Sequence, residues 1–92
     1  MNPKVKMIIE ETFPRIVERH MKTRLSIEST ERSLDSYRKM GHDAIRNLAP
    51  EERELNERAL DTAYDASIQQ IREFHAREKS AAPLEGTGKE TT

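Results

Sequence analysis

The stretch Ile9–Leu48, IEETFPRIVERHMKTRLSIESTERSLDSYRKMGHDAIRNL, decides the fold, because one heptad frame laid along it meets no charged residue on its inner seam. The seam reads Ile9, Phe13, Ile16, His20, Thr23, Ile27, Thr30, Leu34, Tyr37, Gly41, Ala44 and Leu48, although 36% of the chain is charged. Such a repeat lets a long helix bury one narrow stripe against a neighbouring helix while its other faces stay wet. The fold class read from it is all-α.

Toward the N-terminus, Asn2 before Pro3 is a helix start, a side-chain cap with proline at the first helical position. Pro14 lacks an N–H and its ring collides with the carbonyl of Glu10, so residues 1–12 are expected to form a short leading helix or arm, with Thr12 capping a new helix. The first long helix is expected over 13–48, and Val17, Met21 and Leu25 widen its stripe beyond the bare seam. Within it the hydroxyls of Thr23, Ser26, Ser29, Thr30, Ser33 and Ser36 compete for the backbone, which allows a hinge near Ser29 or the close approach of another helix. Gly41 costs about 1 kcal/mol relative to alanine, yet Ala44, Ile45 and Leu48 carry the seam past it, and continuity is expected.

Toward the C-terminus the firm boundary is Ala49–Pro50, where Glu51 and Glu52 place acid on the positive end of a new helix dipole. That helix is expected over 50–79. Leu60, Tyr64, Ile68, Ile71 and Phe74 form one stripe on it, and Leu55, Ala59, Ala63 and Ala66 form a small-residue stripe beside it. Two stripes imply two neighbours: the preceding helix, and either a second chain or the leading segment. Residues 80–92, with Pro83, Gly86 and Gly88, have little to bury and are expected to be disordered. The architecture expected is a long helical hairpin, 13–48 against 50–79, with a short leading helix. It is expected to homodimerise into a four-helix bundle or coiled-coil-like assembly, with Leu60, Tyr64, Ile68, Ile71 and Phe74 as the self-association stripe.

Composition bounds the function. Ninety-two residues, 34% of them apolar, with no Trp and no Cys, build a small core without disulfides, and association is the ordinary remedy. The first thirty residues hold no apolar run long enough for a signal peptide or a membrane span, so a cytoplasmic protein without membrane contact is expected. Net charge is only -1, but residues 1–46 carry ten Lys/Arg against seven Asp/Glu and residues 47–92 carry six against ten. That asymmetry favours oppositely charged partners or antiparallel self-pairing.

Chemistry is excluded more readily than assigned. Cysteine nucleophiles are absent, and the only glycines, Gly41, Gly86 and Gly88, frame neither a serine elbow nor a phosphate loop. His20, His42 and His75 lack metal-ligand spacing; His42 and Asp43 point to different helix faces, and the shared face of His75 and Glu78 supplies two groups where a site needs more. No catalytic, cofactor or metal residues are assigned, and an enzyme is not expected. His20, on the seam, reads as a polar register marker bonded to a neighbour, with a pH-sensitive contact as the sharper alternative. Tyr37 and Tyr64 belong to the helix contact, hydroxyls to the edge.

The function expected is that of a small protein-binding regulator, of inhibitor, adaptor or chaperone type, acting through helical surfaces. Met21, Leu25 and Met40, which the seam does not consume, are its candidate anchors. The alternative is a nucleic-acid-associated regulator using the basic face Arg15, Arg19, Lys22 and Arg24, against which stands the absence of any recognition-helix layout or stacking platform.

Overall fold

The computed structural model describes residues 1–86, with side chains through Glu78. The order is α1 (Pro3–Met7), a π-helical turn (Ile8–Thr12), α2 (Phe13–Thr23), α3 (Ile27–Ala44) and α4 (Pro50–Gly86), with no strand among the described residues. The all-α class is therefore as read, but the two-helix hairpin gives way to three rods.

The first correction lies at Pro14. Residues 3–23 form one rod, not an arm followed by a helix: Thr12 is itself helical (φ -68, ψ -52) and its side chain caps nothing. The chain accommodates the proline by widening one turn, where the Phe13 N–H donates to the Ile8 carbonyl, five residues back. A π turn of this kind spaces the backbone around a residue that has no N–H to give. At the start of the rod Asn2 caps as expected, its side chain accepting from the N–H groups of Lys4 at 2.8 Å and Val5 at 3.2 Å.

The second correction is the break inside 13–48. The rod ends at Arg24, which adopts the left-handed conformation (φ 55, ψ 48) and donates its N–H to the His20 carbonyl at 2.9 Å. Ser26 then caps α3, its Oγ accepting from the Ser29 N–H at 3.0 Å. The hydroxyl run does mark the interruption, but the break precedes Ser29, because it is the Ser26 side chain that satisfies a free N–H in the first turn of the next helix. Gly41 continues the helix as expected, and α3 stops at Ala44 rather than Leu48, with Ile45–Leu48 closing a turn (Leu48 N–H to the Ile45 carbonyl, 3.1 Å). Ala49 and Pro50 begin α4, the Arg53 N–H reaching the Ala49 carbonyl at 2.8 Å. This last helix passes Lys79 and runs to Gly86. Of the tail expected from residue 80 onward, residues 87–92 lie outside the described residues.

Contacts between the rods fix their directions. The Asn2 N–H donates to Asn56 Oδ1 at 2.9 Å, so the N-terminus sits beside the start of α4. At the other end Arg24 pairs with Glu78, and Arg72 pairs with Glu31 at 3.1 Å. The leading rod (α1–α2) therefore runs parallel to α4, and α3 runs antiparallel to both. Val5, Ile8, Phe13 and Val17 from the leading rod, Leu34 and Ile45 from the α3 region, and Leu60 and Ile71 from α4 form the core. The second neighbour that α4 asked for is the leading segment of the same chain.

Candidate interaction surface

The polar residues inside the bundle are satisfied, which separates them from any docking face. His20 is fully enclosed, with Nδ1 2.6 Å from Thr30 Oγ1 on α3 and Nε2 2.7 Å from His75 Nε2 on α4. Burial first, and then the neighbouring His75, hold His20 below the ordinary histidine value. Asn56 donates its side-chain amide to the Glu52 carbonyl at 2.7 Å while accepting from Asn2, and Ser67 donates to the Ala63 carbonyl at 3.0 Å. The hydrogen bonding to a neighbour expected of His20 is present, with Thr30 10 and His75 55 positions away in sequence.

A second cluster joins α3 to α4. His42 places Nε2 2.9 Å from Asp61 Oδ1 and Nδ1 3.4 Å from Glu57 Oε2. Arg38 binds Asp35 Oδ1 at 2.6 Å and lies 4.7 Å over the Tyr64 ring. Hydrogen bonds from Arg38 and then Lys39 hold the Asp35 carboxyl below its ordinary value. His42's two ring nitrogens face different carboxylates, the geometry of a tether between α3 and α4. Among the described residues no group of three or more His, Cys, Asp or Glu is arranged to hold a metal ion.

Two hollows open along the line between the leading rod and α4, and together they define a trough. One hollow, about 700 Å³, is lined by Met1, Pro3, Leu48, Glu52, Leu55 and Ala59 among others. A second, about 660 Å³, is lined by Pro14, Val17, Glu18, Met21 and Lys22 from the leading rod and Gln70, Glu73 and Arg77 from α4. On α4 the residues of the two hollows repeat at eighteen: Glu52 and Gln70, Leu55 and Glu73, Ala59 and Arg77. Eighteen residues are five turns of helix, so both hollows open on one face of α4. Ala63 and Ala66 fall between them on that same helical face. Leu55 stands at its edge with 65% of its surface exposed.

The residues singled out from sequence fall unevenly on this picture. Leu60 and Ile71 are fully enclosed by the chain's own helices, and Tyr64, Ile68 and Phe74 are half-buried beside them, so that stripe is occupied within one chain. Met21 is half-buried and lines the second hollow. Leu25, in the turn after α2, and Met40, on α3, are exposed but lie at opposite ends of the bundle, so the three anchors do not make one patch. In the basic face, Arg15 approaches Glu11 at 4.0 Å, Lys22 binds Glu18 at 3.2 Å, and Arg24 is taken by Glu78. Only Arg19 of the four shows no ion pair among the described residues. The exposed Leu55 belongs to the small-residue stripe of the sequence reading and is missing from its anchors; the signal for it is one large apolar side chain in a stripe otherwise made of alanines, beside Glu51, Glu52 and Glu54.

No helix among the described residues is long and apolar enough to cross a membrane. Comparison of the chain with protein-family models, with curated proteins and with solved structures finds no match.

Proposed function

We propose that this protein is a small non-catalytic regulator, of inhibitor, adaptor or chaperone type, that binds helical segments along the trough between its leading rod and α4. The observation that carries the reading is Leu55, exposed at 65% on the face of α4 where both hollows open. Met1, also exposed, lines the same hollow as Leu55, and a contiguous apolar patch rimmed by polar groups is the usual mark of an interaction site. Ala59, Ala63 and Ala66 leave room for a helix to approach closely between the hollows. A helix seated there would complete a four-helix bundle, the arrangement that gives a chain with so small a core the extra apolar contact it lacks.

The nucleic-acid alternative has less support. Three of the four residues of the basic face are engaged by Glu11, Glu18 and Glu78, which lowers the charge available to phosphates.

Amide shift mapping tests the reading. Short amphipathic helical peptides, one series with acidic and one with basic flanks, are titrated into labelled protein. Perturbations gathered at residues 14–22, 52–59 and 70–77 are expected; peptides of both series leaving those residues unchanged would contradict it.

A further inference from the structure

The periodicity of the trough makes it complementary to itself. Glu52, Leu55 and Ala59 at one end of the α4 face are matched, five turns on, by Gln70, Glu73 and Arg77 at the other. If two such faces are laid antiparallel with Ala63 of one opposite Ala66 of the other, Glu52 meets Arg77, and Leu55 falls beside Glu73 at the mouth of the second hollow. That hollow is walled by Val17 and Met21, and Lys22 stands with Arg77 on its rim. Glu51, Glu52 and Glu54 crowd the opposite end. Glu52, Leu55, Glu73 and Arg77 are all exposed, whereas Val17 is buried and Met21 half-buried as the hollow's apolar floor.

Resting on the trough as the binding surface, we propose that its occupant is a second copy of this chain, docked antiparallel, with Leu55 of each copy seated against Val17 and Met21 of the other and Glu52 paired with Arg77 at both ends. The two-fold axis passes between Ala63 and Ala66, where short side chains let the α4 helices approach. The contact is isologous and closes on itself, so it yields a dimer and not a fibre. A parallel arrangement opposes Glu52 to Glu52 and Arg77 to Arg77, and like charges facing across an interface are penalised. The second helical stripe that α4 displays is thereby covered by the leading rod on its inner side and by the second copy on its outer side.

Charge exchange tests this in a form that folding defects do not mimic. Glu52→Arg and Arg77→Glu, each alone, place like charges at both ends of the antiparallel dimer; sedimentation equilibrium is expected to show dissociation constants raised at least about tenfold. The double variant E52R/R77E restores opposite charges and is expected to dimerise as the wild type does. Circular dichroism keeps the comparison to folded protein. An equimolar mixture of the two single variants gives a second measure of rescue, because in the mixed dimer a copy basic at positions 52 and 77 faces a copy acidic at both, and opposite charges meet at each end. Wild-type protein that stays monomeric over the whole concentration range, or a double variant no better than the singles, overturns the proposal. If the wild type is monomeric while amphipathic peptides still map to residues 14–22, 52–59 and 70–77, the self-docking falls and the trough remains; if neither associates, both fall together.

Discussion

Gly41 faces Leu60 with no room for a methyl group: a Cβ placed on Gly41 lies 2.6 Å from Leu60 Cδ2 and 3.2 Å from Cδ1. The side chain it would strike is fully enclosed and has nowhere to turn. In an isolated helix Gly41→Ala is a gain of about 1 kcal/mol. Here the overpacking penalty, of order 1–3 kcal/mol, opposes it. The expected outcome is a protein less stable than wild type, by up to about 2 kcal/mol in urea unfolding, with Leu60→Ala in the same chain relieving part of the strain.

Arg24 occupies a backbone conformation that side chains with a Cβ rarely adopt, and its position is held by Glu78 and by the Phe74 ring 6.0 Å away. Arg24→Gly removes the backbone penalty together with those contacts, so a change within about 1 kcal/mol is expected. Arg24→Val keeps the penalty, worsens it by branching and loses the contacts; a loss of about 2 kcal/mol is expected. Thermal unfolding of the pair separates backbone from side-chain effects.

Asn56 closes the other end of the bundle by accepting from the Asn2 N–H and donating to the Glu52 carbonyl. Asn56→Leu leaves the Asn2 N–H without its partner beside the start of α4. A cost of about 1–3 kcal/mol is expected, with amide exchange accelerated first over residues 2–8.

Buried His20 gives the stability a pH dependence with a definite sign. His20 is held below the ordinary histidine value in the folded protein, so the unfolded chain takes up the proton first. Its contribution is complete above about pH 6.5, the unfolded value, and is lost as the pH falls through the lowered folded value. A proton added to His20 would sit in an enclosed site between the Thr30 hydroxyl and the His75 ring, 2.6 and 2.7 Å away. The groups around it offer no rescue, since Thr30 is neutral, Phe74 stacks edge-on to both rings, and Glu78 and Glu31 are engaged by Arg24 and Arg72. Below about pH 6.5 the folding constant is expected to fall by up to about tenfold per pH unit for each extra proton bound on unfolding. His20→Gln, whose amide can still bond His75 and Thr30, removes the group held low and is expected to flatten the profile below about pH 6.5. A profile identical to wild type in that variant would contradict the assignment.

Neutralising Arg15, Arg19 and Lys22 together is expected to leave helicity unchanged, because the three side chains are exposed and the ion pairs they make are worth little. No mobility shift of DNA or RNA is expected for the wild type at physiological salt. A salt-sensitive shift that disappears in the triple variant would transfer the functional reading to nucleic acid.

How much of this is legible in the sequence varies with the range of the signal. Asn2, Pro3 and the Ala49–Pro50 boundary act within one helical turn, and each stands where its local chemistry puts it. Pro14 misleads because a π turn, which needs the packing of Ile8 and Phe13 into the core to be worthwhile, absorbs what a lone helix would not. The heptad seam runs across Arg24 because no charge interrupts it, whereas the break is made by a left-handed residue and a serine cap, neither of which alters hydrophobic spacing. Gly41 reads as a flaw in α3 and is a point of close approach, visible only once Leu60 is placed against it. His20 is legible as a polar core position, but His75 and Thr30 come to it from two other helices. Leu55 hides among the alanines of its stripe, because spacing alone does not tell a second buried face from an open one.

The docking surface is tested most directly by an isotope-filtered NOE experiment on an equimolar mixture of labelled and unlabelled protein. An intermolecular NOE is expected between the Leu55 methyls of one copy and the Met21 methyl of the other. A dimer in which the Leu55 methyls show NOEs only to Met1, Pro3 and Ala59 of their own chain would contradict it.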